Sequence, residues 1–311
     1  MLTALLIVAR GVHIGASMLF AGIFTFDVII LFPAARRLSG DSQEVDRRLF
    51  RLAVWSLLAA LLSALLWFWL EVASMNELSL KDAFSTTAWQ TVLFETKFGR
   101  VWQLRLGLIA AAFVLVASAL AQVKVRRALI AVLWLVSVVF LVSLAWISHA
   151  AAATVRPYGV LGDMLHLCAA GVWIGGLLPL AIFLARAAHA SFSLVEMVPR
   201  VLRRFSTISL CCVSVLVASG ISNSWLLVGS IYALFTTPYG WLLLVKLTSF
   251  AILVGFGARN RFLVKAKLPN AAEDPHLLAQ LRRNVVRELC LGAAVLAIVA
   301  CLGVTPPARH P

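Results

Sequence analysis

Apolar residues run along this chain in long blocks and do not alternate with polar ones. Eight blocks stand out, at roughly 2–32, 52–74, 100–121, 128–148, 162–184, 206–228, 239–258 and 285–304. A helix rises about 1.5 Å per residue, so about 20 apolar residues cross the hydrocarbon layer of a bilayer. The pattern predicts an all-α fold: a polytopic membrane helix bundle of about eight transmembrane helices. The apolar stretch at 224–235 continues the sixth span or lies at the interface. The first block is too long for a secretory h-region and lacks a basic leader and a small-residue cleavage site, so it is expected to remain as a helix.

The polar remainder sets the orientation. The 311 residues are 62% hydrophobic and only 13% charged, against about 25% charged in soluble domains. The net charge is +14, and it is clustered between the apolar blocks. Arg36, Arg37, Arg47, Arg48 and Arg51 fall between spans one and two; Lys124, Arg126 and Arg127 between three and four. Arg186, Arg200, Arg203 and Arg204 fall between five and six, and seven more Lys and Arg between seven and eight. The alternate loops carry few, so the positive-inside rule predicts both termini on the extracytoplasmic side. No basic face is interleaved with aromatics, and the charge points to a lipid bilayer surface, not to nucleic acid. Trp89, Trp102, Tyr158, Tyr232, Tyr239 and Trp241 fall near the predicted outer ends, where interfacial anchors belong.

The chain also resembles itself. GVHIG at 11–15 is similar to GVWIG at 171–175, and TKFGRVWQLRL at 96–106 to TPYGWLLLVKL at 237–247, which sets Arg105 opposite Lys246. Arg-Arg pairs precede the second, fourth, sixth and eighth spans. These matches predict two similar four-helix halves, 1–150 and 151–311. Four spans is an even number, so the halves would share one orientation about an axis along the membrane normal.

Ionisable groups inside a bilayer are costly and serve as the first candidates for function. His13, Asp27, Arg105 and Lys246 fall within spans, and His149, Asp163 and His166 at outer ends. Glu71 and Glu95 are candidate partners for Arg105 and Lys246, and a loop arginine for Asp27. His13, His149 and His166 are expected to meet near the extracytoplasmic surface in a water-reachable pocket. Met164 and Cys168 share a neighbouring face of the fifth span. Imidazole with thioether suits copper better than magnesium or calcium. Two other readings stay open: a b-type haem held by His13 and His166, or a non-transporting scaffold acting through its cytoplasmic arginine loops. His189, His276 and His310 read as solvated residues. Cys168, Cys211, Cys212, Cys290 and Cys301 lie in apolar runs without disulfide or zinc spacing and read as packing residues. There is no phosphate loop, HExxH helix or GxSxG elbow, and no polar segment long enough for a nucleotide domain, so the chain is not expected to be an enzyme.

Four segments carry a family resemblance: SHAAA at 148–152 followed by DMLHLCAAGVWIGGLLPLA at 163–181, YGWLLLVKLTSFAILVGFGARNR at 239–261, RRNVVRELCLGAAVLAIVACLGVTPP at 282–307 and ARGVHIGASMLFAG at 9–22. Together they resemble the bacterial copper resistance protein D family across essentially the whole chain. The resemblance implies an inner-membrane protein that moves copper from periplasm to cytoplasm beside a periplasmic copper-binding partner of the CopC type. It implies His13, His149 and His166 as copper ligands, with Met164 as a further candidate; the ion is expected to pass between the two halves. Long Met- and His-rich loops are absent, which speaks against high-capacity sequestration.

Overall fold

The computed structural model describes residues 1–34, 40–84, 86–122, 124–148, 156–188, 192–267 and 275–309. Among them, eight helices are long and apolar enough to cross a membrane. They are α1 (Leu2–Ala34), α2 (Gln43–Met75), α3 (Lys97–Ala121), α4 (Arg126–Ile147), α5 (Pro157–Ala187), α6 (Val198–Val228), α7 (Pro238–Phe262) and α8 (His276–Leu302). The chain is an all-helical polytopic membrane protein, with no strand among the described residues. Helices α2, α6 and α8 begin well before their apolar blocks, because the polar turns there are themselves good helix. In α2, for example, Glu44 pairs with Arg47 at 3.1 Å and Arg48 at 2.9 Å.

Two helices form the axis of the bundle. The apolar windows of α1 and α5 are each 67% buried, against 11% for α7, so α1 and α5 are central and α7 lies against lipid. Lipid tails are as apolar as leucine, so close backbone approach has to hold such a pair together. Small residues allow it here. A Cβ placed on Gly22 would overlap the Gly175 backbone, and one on Gly175 would overlap the Met18 carbonyl.

Proline shapes both central helices. Pro33 has no N–H to give to the Ile29 carbonyl, and its ring crowds that carbonyl. Helix α1 widens to a π-helix over Phe26–Leu31, and Arg204 of α6 donates to the Ile29 carbonyl at 3.3 Å. Pro179 lies inside α5 and likewise withdraws a donor from Gly175, the residue in contact with α1.

One local motif occurs twice, where the sequence similarity at 96–106 and 237–247 places it. Thr96 accepts from Gly99 N at 2.9 Å and donates to Val92 O at 2.5 Å. Thr237 accepts from Gly240 N at 3.1 Å and donates to Ala233 O at 2.7 Å. Both threonines cap a membrane helix after a short helix, Thr86–Glu95 or Ile231–Thr236. In both places a Cβ on the glycine would strike carbonyls of that short helix. The stretch 224–235 divides between the two expected fates. Helix α6 continues to Val228 and stops at Gly229, whose φ of 74° suits glycine. Ile231, Tyr232 and Phe235 then lie exposed, as an interfacial helix requires.

Candidate functional site

The structure builds a polar node around each of two histidines. His13 on α1 is fully buried, with no exposed surface. Its ring sits among Trp67, Trp102 and Phe140, with centroids 5.7, 5.4 and 5.9 Å away. Arg105 of α3, also fully buried, approaches His13 Nε2 with Nε at 3.1 Å and a terminal nitrogen at 2.6 Å. A guanidinium only donates, so Nε2 accepts, and the proton sits on Nδ1. Nδ1 lies 3.0 Å from Ala60 O and 3.1 Å from Ser63 Oγ. The same arginine donates to Phe140 O at 2.6 Å, Ser143 Oγ at 2.5 Å and Ser17 Oγ at 3.0 Å. Both ring nitrogens of His13 are thus engaged. Arg105 takes none of the expected carboxylates: Glu71 instead accepts from Trp67 Nε1 at 3.0 Å. The guanidinium is held by an imidazole, hydroxyls and a carbonyl, a set of neutral acceptors whose partners lie up to 92 residues away.

The second node has the same plan and a different outcome. His166 on α5 bonds through Nδ1 to Ser219 Oγ of α6 at 2.9 Å. Ser219 spends its one proton on Val215 O at 2.6 Å, as Ser63 does on Ala59 O at 2.6 Å. Ser219 therefore accepts from His166 Nδ1–H, and the lone pair falls on Nε2. No described residue hydrogen-bonds that Nε2. One turn earlier on α5, Asp163 accepts from Asn223 Nδ2 at 2.6 Å, and the Lys246 ammonium acts electrostatically on both Asp163 and His166. The Asn223 Oδ1 atom is buried without a hydrogen-bond partner among the described residues. By partner pattern, the counterpart of His13 is His166, two helical turns before Trp173, with which the sequence similarity pairs it. Apolar helices match one another under such slips.

The expected ligands divide accordingly. Every hydrogen-bonding and ring partner of His13 comes from α1 to α4, and that of His166 from α6. No partner is shared. Met164 packs with Ala145 and Val160 where α4 meets α5, nearly opposite His166 around the helix. His149, His189 and His310 lie outside the described residues. Among the described residues, no three His, Cys, Asp or Glu side chains converge on one metal position. The five cysteines are free thiols. Asp27 lies beside an ion pair between Arg126 and Asp46, 2.6 Å long.

Sequence reasoning missed the residues that separate the two nodes: Ser63, Ser143, Ser219 and Asn223. Their signal is a small polar residue on the inward stripe of an apolar span. It is weak, because serine is tolerated there for packing alone.

Comparison with known proteins adds the family. The model of the copper resistance protein D-like N-terminal domain matches residues 1–156, and that of copper resistance protein D matches residues 199–302. A Bacillus subtilis protein named copper transport protein CutJ is 28% identical over 88% of this chain and 48% of its own length. The present chain thus spans about half of that relative. A Pseudomonas syringae protein named copper resistance protein D is 28% identical over 70% of this chain and 71% of its own. An Escherichia coli protein named inner membrane protein YebZ is 29% identical over 97% of this chain and 98% of its own. No solved structure matches the chain.

Proposed function

This chain belongs to the copper resistance protein D family, and on that premise we propose that it carries copper ions through the bacterial inner membrane, receiving them at His166. The carrying observation is the lone pair that Ser219 leaves on His166 Nε2. A neutral imidazole oriented through its other nitrogen is the form that ligates copper. Asp163, one turn earlier on the same helix, and Asn223, whose Oδ1 has no hydrogen-bond partner among the described residues, are candidate oxygen donors. His149, which lies outside the described residues, precedes α5 in the sequence and is proposed as the second imidazole. Met164 faces α4, away from His166, and does not join this site. The positive-inside pattern supports a periplasmic position for both chain ends, and the family resemblance supports inward movement from a periplasmic donor of the CopC type. Haem ligation by His13 and His166 is opposed by Arg105, whose two hydrogen bonds to His13 Nε2 an iron would have to replace.

Copper accumulation by cells expressing His166→Ala is expected to fall to the level of cells without the protein, at unchanged membrane abundance. Accumulation equal to wild type would remove the proposal.

A further inference from the structure

Directly along the bundle from His166, the helices leave a partly open and mostly apolar cavity of about 140 Å³ that the copper-receiving site does not use. Trp173 of α5, Val213 of α6 and Val254 of α7 line it nearest that site. Trp173 is two turns from His166. Val213 is two turns from Gly220, where a Cβ would lie 3.9 Å from the His166 ring. Val254 is just over two turns from Lys246. Along all three helices the separation is about 10–12 Å, so site and cavity stack on one seam.

Glu288 of α8 lines the same cavity, and a Cβ on Gly257 would touch both it and Trp173. Glu288 is 3% exposed and accepts from Asn260 Nδ2, and Asn284 Nδ2 donates to Asn260 Oδ1 at 2.8 Å. No cation pairs with it among the described residues. Arg261 lines the same cavity but is committed to Ser206, at 2.9 Å to its carbonyl and 2.8 Å to its hydroxyl. Ser209 presents a buried hydroxyl without a hydrogen-bond partner among the described residues. A buried carboxylate with neutral partners, facing an empty volume, is the usual mark of an ion path in a membrane.

The boundary between the first and last four spans is poorly suited to carry an ion. At Gly22 and Gly175, α1 and α5 touch backbone to backbone, with no room even for a methyl group. We infer that copper travels inside the last four spans, along the α5–α6–α7 seam, and that Glu288 with Asn260 is the weak cation site from which it leaves toward the cytoplasm. Carboxylate and amide oxygens hold a soft cation less tightly than imidazole does. Passage needs an exit site that binds loosely enough to release. The inference rests on copper transport by this chain.

The test is copper uptake into proteoliposomes, read beside equilibrium copper binding. Glu288→Gln removes the charge and keeps the size. Gly257→Val fills the cavity: a Cβ there meets Trp173 at 3.5 Å and Glu288 Oε2 at 3.8 Å, both ordinary contacts. Each variant is expected to lower the uptake rate at least tenfold while the tight copper binding at His166 stays at the wild-type level. Wild-type uptake in either variant overturns the inference and leaves the receiving site standing. Absence of uptake by the wild-type protein overturns the transport reading itself.

Discussion

Arg105→Ala is expected to lower the stability of the purified protein by ~3 kcal/mol or more, measured by thermal or denaturant unfolding in detergent. The arginine makes five hydrogen bonds that join α1, α3 and α4. Hydrogen bonds between membrane helices are worth ~0.6 kcal/mol each on average, so the five together give ~3 kcal/mol. Truncation also leaves a cavity beside Trp102 and Phe140, which adds to the loss. Arg105→Lys is expected to recover little, because a single ammonium cannot cover acceptors on both α1 and α4. The double variant Arg105→Leu with His13→Leu is expected to lose less than the two single losses summed. It removes the imidazole acceptor together with the donor, and with the donor the desolvation of the buried charge. A loss under ~0.5 kcal/mol for Arg105→Ala would place it in the range of an ordinary surface change and refute the node.

Gly175→Ala is expected to cost ~1–3 kcal/mol, the usual range for overpacking a tight contact. Its methyl group would need the space held by the Met18 carbonyl, and backbone cannot rotate away as a side chain can. Gly171→Ala is expected to cost less, because its methyl meets the end of the Leu141 side chain. Gly107→Ala meets nothing within 4 Å and is expected to be neutral or to stabilise by up to ~1 kcal/mol through helix propensity. Unfolding of the three variants in one detergent checks the order. Equal effects at Gly175 and Gly107 would contradict the close approach of α1 and α5.

The eight spans were legible in the sequence because hydrocarbon thickness sets their length and leaves few alternatives. The similarity of the segments at 96–106 and 237–247 was legible too, but the threonine caps they share came only from the structure. The partner of Arg105 was not. Its acceptors lie on α1 and α4, and charge alone pointed to Glu71 or Glu95. Neutral acceptors can balance a buried guanidinium, and nothing in residue type announces that they do. His13 and His166 were legible as intramembrane histidines, but their difference depends on what stands at each second nitrogen. That is Arg105 in one node, while in the other no described residue takes the position. Asn260 and Glu288 lay within the segments that carry the family resemblance, yet only the cavity between α5, α6, α7 and α8 gives them a role.

The most direct test of the account is copper bound per molecule by purified wild-type, His13→Gln and His166→Ala proteins. With the lone pair exposed on His166 and occupied on His13, His166→Ala is predicted to lose the tightly bound copper, while any His13→Gln protein that remains folded retains it. Copper kept by His166→Ala and lost by folded His13→Gln would contradict it.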